Sequence, residues 1–136
     1  MSGVAEMLET MREQRARTLE QVLSVPEEQM LAPAAKYGDR DVNVRFMFYR
    51  LVTHQIEHTV HLTKTLNALG ITQGEAGLIL KSLQVASGEL EGLMVGLSDD
   101  DLDRSPGEGD WTLREVLEHI LSAEKSYSNR IDEALG

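Results

Sequence analysis

The sequence predicts an all-α protein, a four-helix bundle made of two similar helical hairpins. Apolar residues recur at three- and four-residue steps along four long segments. Two of those segments open with capping-box spacing, and one ends at a glycine suited to a left-handed cap. Aromatic residues are only 4% of the chain and prolines number three, which argues against a β-sandwich. A chain of 136 residues, 41% hydrophobic, is one ordinary domain that can bury a core.

The first helix is expected from about Val4 to Leu23, with Val4, Met7, Leu8, Met11, Leu19, Val22 and Leu23 on its apolar stripe. The second runs from about Val44 to Leu69 and stops at Gly70. The third opens with Thr72-Gln-Gly-Glu75 and continues to about Val95, although Gly77, Gly88 and Gly92 each weaken it. The fourth opens with Thr112-Leu-Arg-Glu115 and continues to about Leu135. These elements divide a single domain, 1–136, into hairpins of about 1–70 and 71–136.

The hairpins resemble one another. Val25-Pro-Glu-Glu-Gln-Met30 lies over Leu97-Ser-Asp-Asp-Asp-Leu102, and each reads as a cap followed by one short helical turn. Val42-Asn-Val-Arg45 lies over Trp111-Thr-Leu-Arg114, each leading into a long amphipathic helix. Two hairpins folded together give a bundle, which builds its sites from side chains pointing inward from facing helices.

Composition excludes several functions. With no cysteine there is no disulfide, thiolate metal site or cysteine nucleophile. The formal net charge is −10, of which residues 71–136 carry −9. So acidic a surface repels phosphate backbones, and a nucleic-acid partner is not expected. The opening Met1-Ser-Gly-Val-Ala-Glu lacks a basic region leading into an apolar run, so no signal peptide is expected. No stretch reaches the about 18 apolar residues of a membrane span. The expected location is the cytoplasm.

Four histidines carry the chemistry. His54, His58 and His61 fall at i, i+4, i+7 on one face of the second helix, continuing the inward stripe of Val44, Met47 and Leu51. His119 lies on the fourth helix in the stripe Val116, His119, Ala123, Tyr127. One such imidazole is ordinarily a core or rim group satisfied by a neighbour. Three along one apolar face each forgo about 1.5–3 kcal/mol of burial and need polar partners. A divalent metal ion satisfies several at once, and two His at i, i+4 plus one from a facing helix leave positions open. His54, His58 and His119 are therefore the expected metal ligands.

Two acids are weighed beside them. His54-Gln-Ile-Glu57-His58 matches the H-x-x-E-H pattern of inverted zinc peptidases, but this chain lacks their size and strands, and Glu57 lies off the inward stripe. Glu124 follows Leu113, Leu117 and Ile120 on a stripe, where it either supports a ligand histidine or pairs with a base such as Arg50. The acidic segment Asp99–Asp110 either rims the site or is a solvated connection.

At these residues the chain resembles the DinB/YfiT-like superfamily of metal-binding four-helix bundles. Leu97-Ser-Asp-Asp-Asp-Leu-Asp-Arg with Gly-Asp-Trp-Thr-Leu-Arg-Glu-Val-Leu-Glu-His119 is similar to that family's first hairpin. His54-x-x-x-His58 and the run to Gly70 are similar to its last helix, so the hairpin order is swapped here. His61 stands where the family often carries Gln, as an extra ligand, a proton carrier or a supporting group. The resemblance implies a metal-dependent hydrolase or thiol S-transferase working with Zn, Ni or Fe, with His61 or Glu124 moving the proton. It also implies a homodimer acting on a small molecule whose identity the residues do not give. The alternative is a non-catalytic dimerisation or scaffold module with structural histidines.

Overall fold

The computed structural model describes residues 3–136; the first two residues of the opening segment read above for a leader lie outside them. Four long helices appear in the expected order: α1 Val4–Ser24, α2 Val44–Ala68, α3 Glu75–Met94 and α4 Leu113–Leu135. The described residues contain no strand, only two isolated bridges, so the all-α class is as the sequence predicts for a four-helix bundle. No helix among them is long and apolar enough to cross a membrane. The chain divides within α3 into two units, Met1–Glu89 and Leu90–Gly136.

In the first unit α1 ends at Ser24 and Pro26 leads into a short 3-10 turn, Glu27–Gln29. The chain then doubles back through bridges Pro33–Asn43 and Tyr37–Arg40, with Gly38 at φ +61° making the tip. Asn43 caps α2, its Oδ1 accepting from the Phe46 N–H at 2.9 Å. The Val44 and Arg45 N–H groups, which no helical carbonyl can reach, donate instead to Ala32 O at 3.0 Å and Met30 O at 2.8 Å. The other end of α2 closes as a Schellman motif. Gly70, at φ +67°, donates to Asn67 O, and Ile71 donates to Leu66 O.

Helix α3 starts later than the Thr72 capping box predicts. A helix capped at Thr72 would enclose Gly74, at an entropic cost of roughly 1 kcal/mol. The helix begins after that glycine, and Leu78 N–H bonds to Gly74 O at 3.1 Å. Glu75 then occupies the first turn, where its charge complements the helix dipole.

In the second unit a 3-10 turn, Asp99–Asp103, is closed by its own capping box. The Ser98 hydroxyl accepts from Asp101 N–H at 3.3 Å, and Asp101 Oδ2 accepts from Ser98 N–H at 2.9 Å. Helix α4 opens with the predicted box: Thr112 Oγ1 accepts from Glu115 N–H at 3.2 Å, and Glu115 Oε2 accepts from Thr112 N–H at 2.7 Å. Arg114 ties turn to helix, donating to both carboxylate oxygens of Asp103 at 2.8 and 3.2 Å.

Within each unit no described side chain is fully buried. Partial burial gathers where each connection meets its helix: Met30, Ala32, Ala34 and residues 42–48 in one unit, and Asp101, Leu102, Thr112, Leu117 and Ile120 in the other. Each unit is thus organised around a folded connection and a capped helix start.

Candidate metal centre

Helix α2 carries three of the four histidines. Its threonines would ordinarily compete with the backbone, but Thr59, Thr63 and Thr65 donate to the carbonyls four residues before them at 2.7, 2.8 and 3.0 Å. That leaves the helix continuous through His54, His58 and His61. The rings form a row on one face. His54 meets His58 edge-on with centroids 4.4 Å apart, and His58 meets His61 at 5.6 Å with a 45° tilt. The Nδ1 atoms of His58 and His61 face each other at 3.4 Å. All three side chains are exposed within their unit.

His119 lies in the second unit, two turns into α4. Its ring packs edge-on against Trp111, centroids 5.2 Å apart at 63°. Trp111 directly precedes the Thr112 cap, so the start of α4 and the orientation of its histidine are fixed together.

The likeness of the hairpins gives these positions a common frame. Setting Val44, the first residue of α2, against Leu113, the first of α4, places Arg50 against His119, His54 against Ala123 and His58 against Tyr127. The histidines of both helices therefore lie on one equivalent face at positions that do not coincide. Within neither unit are three or more His, Asp or Glu side chains gathered as an ion cage, among the described residues.

The acids take different places. Glu57 is 63% exposed and lies 4.0 Å from Arg50, almost two turns earlier on α2. Arg50 also donates to Thr53 at 3.3 Å and stacks over Tyr37 at 5.7 Å, so its partners in its own unit are these three. The one ion-pair partner of Glu57 among the described residues is Arg50. Glu124 is exposed and has no hydrogen bond or ion pair among the described residues. The acidic connection is structural at two of its aspartates. The Ser98 N–H, then Arg104 and the Ser98 hydroxyl, hold the Asp101 carboxyl below the usual carboxylate range. Hydrogen bonds from Arg114 do the same for Asp103, while Asp103 pushes the Arg114 guanidinium up. Sequence reasoning missed this clasp; its only signal was an arginine two residues beyond the helix cap, eleven residues after an aspartate.

The donor chemistry fits a first-row divalent ion. Neutral imidazole nitrogens suit Zn, Ni and Fe alike, and two of them already face one another on α2.

The helices and histidines define a class first: an all-α protein carrying candidate imidazole ligands on the equivalent faces of two capped helices. The model of the DinB family matches residues 74–136, just under half of the chain, so this segment is similar to that family. The matched segment takes in Trp111 and His119 and leaves α2 outside it. No curated protein and no solved structure matches the chain.

Proposed function

We propose that this protein is a metal-dependent enzyme, a hydrolase or a thiol S-transferase, whose ion is held by His119 of α4 together with His58 and a neighbouring imidazole of α2. The spacing of the sequence gives His54 as that neighbour. One observation carries the reading: under the likeness of the two hairpins, the histidine-bearing faces of α2 and α4 are the same face. Four-helix bundles build their sites from inward-pointing side chains of different helices, and equivalent faces of like hairpins are the ones such a fold turns inward.

When bound, a divalent ion supplies the Lewis acidity that lets a water or thiol ionise near neutral pH. The chain's own residues do the rest. The imidazoles bind through neutral nitrogen lone pairs. Trp111 holds the His119 ring in its orientation. Glu124, and whichever α2 imidazole is not a ligand, take the proton from the nucleophile.

Elemental analysis of purified protein is the test, with about one transition-metal ion per chain expected. His58→Ala and His119→Ala should each abolish stoichiometric binding, and unchanged metal content in both variants would overturn the proposal. The scaffold alternative has its own support in the apolar stripe of α1 (Val4, Met7, Leu8 and Met11), which stays exposed within its unit. It predicts a dimer with no bound metal and a melting temperature insensitive to chelator.

A further inference from the structure

We infer that the connection from α1 to α2 binds a small carboxylate with an apolar body, in a cleft where Arg40 receives the charge. The inference is independent of the proposed metal ion and lies wholly within the first unit.

The doubled-back segment creates the cleft. Its bridges, Pro33 with Asn43 and Tyr37 with Arg40, fold the residues that follow the 3-10 turn over those that precede α2. A cavity of about 360 Å³ remains there, within the range of about 300–1,000 Å³ typical of small-molecule sites. Leu31, Pro33, Val42 and Phe46 form its apolar wall, while Arg40, Asp41 and Asn43 supply the polar one. An apolar lining with a few convergent polar groups holds a ligand by its body and orients it by its head.

Arg40 sets the chemistry of that head. Its guanidinium lies over the Phe46 ring, 5.5 Å from the centroid, and Tyr37 braces that ring edge-on with centroids 5.4 Å apart. Stacking occupies a face of the guanidinium and leaves its N–H edge for an acceptor. Among the described residues no carboxylate pairs with Arg40; Asp41 reaches Lys36 instead, at 3.8 Å. Arg50 makes the useful contrast. It stacks over Tyr37 in the same way, but its edge already meets Thr53 and Glu57. Asn43 commits its Oδ1 to the cap of α2 and keeps its Nδ2 as a second donor in the cleft.

The planar fork of Arg40 matches the two oxygens of a carboxylate. With Asp39 and Asp41 on either side of it in the sequence, one guanidinium balances a single negative charge rather than the about −1.5 to −2 of a phosphate monoester. The four apolar wall residues require the rest of the ligand to be apolar.

The test is titration of the full chain, followed by ¹H–¹⁵N correlation spectra, with phenylbutyrate and with its uncharged counterpart phenylbutyramide. Phenylbutyrate should shift the amides of residues 31–46 and the Asn43 side-chain amide saturably. It should bind at least about tenfold more tightly than the amide, the effect of a charge-assisted hydrogen-bonded pair. Arg40→Gln should abolish that preference and Arg40→Lys reduce it, while Arg50→Gln keeps it. The bridge between Arg40 and Tyr37 uses backbone atoms only, so the doubled-back segment should survive both Arg40 substitutions, and their spectra without probe check that it does. Equal affinity for the two probes, a preference undiminished in Arg40→Gln, shifts centred on residues 54–61, or no saturable shift at all would overturn the site. Tighter binding of phenyl phosphate than of phenylbutyrate would overturn the choice of carboxylate.

Discussion

The connection from α1 to α2 and the connection from α3 to α4 perform the same task with different chemistry. Each makes a 3-10 turn, returns, and hands its chain to a side-chain cap, Asn43 in one and Thr112 in the other. The likeness reaches the backbone. Val44 N–H donates to Ala32 O, and the equivalent Leu113 N–H donates to Arg104 O. From the start of its 3-10 turn to the start of its helix the first connection is three residues longer, and its doubled-back segment, with the bridges Pro33–Asn43 and Tyr37–Arg40, lies within that stretch. The second replaces that segment with charge: Asp103 clasps Arg114, whereas Leu31 stands at the position of Asp103 beside Arg45. One half sets its helix start by extra backbone pairing, the other by a capping box and an ion pair. The same division runs through the candidate ligands, with Arg50 of α2 at the position of His119 and Ala123 and Tyr127 of α4 at those of His54 and His58.

The largest effect expected is that of the metal. If the ion binds only the folded chain, a free concentration about 100 times Kd stabilises it by about 2.7 kcal/mol. Chelator should therefore lower the melting temperature of the loaded wild type by several degrees and leave His58→Ala unmoved. Next is Gly70→Ala. The left-handed φ of +67° in the cap of α2 makes a Cβ there cost about 1–2 kcal/mol, read as a lowered midpoint in urea.

The caps sharpen the comparison of the two halves. Asn43→Ala and Thr112→Ala should each cost about 1 kcal/mol. Glu115→Ala should cost less, because it removes only the returning hydrogen bond and leaves α4 capped as α2 is. Amide exchange at the first turn of each helix would report the three losses locally.

The smallest effect is that of pH on the clasp. Asp103 and Asp101 titrate below their ordinary range in the folded chain, so their contribution is complete above it and is lost as pH falls through the lowered values. Exchange protection at the start of α4 should fall below about pH 4 while that at the start of α2 holds. Asp103→Asn should remove the difference.

Much of this was legible because helix signals are local. Periodicity placed all four helices, and Gly70, Thr112 and Glu115 fixed ends that the structure keeps within a residue or so. Thr72 misled because a capping box is defined by its ends, and a glycine between them at position 74 made the longer helix unfavourable. The Asp103–Arg114 clasp was hidden because it spans eleven residues through a turn whose path no periodicity describes. At the candidate site, spacing alone could place three imidazoles on one face of α2. It could not show how the rings turn toward one another, since that depends on side-chain rotation rather than on helical register.

Under the proposed function one ion is shared between imidazoles of α2 and His119 of α4. Zinc-edge X-ray absorption on the loaded protein counts those imidazoles directly. Three nitrogen ligands from histidine at about 2.0–2.1 Å are expected in the wild type, falling to two in His119→Ala. A count unchanged by removing His119 would contradict it.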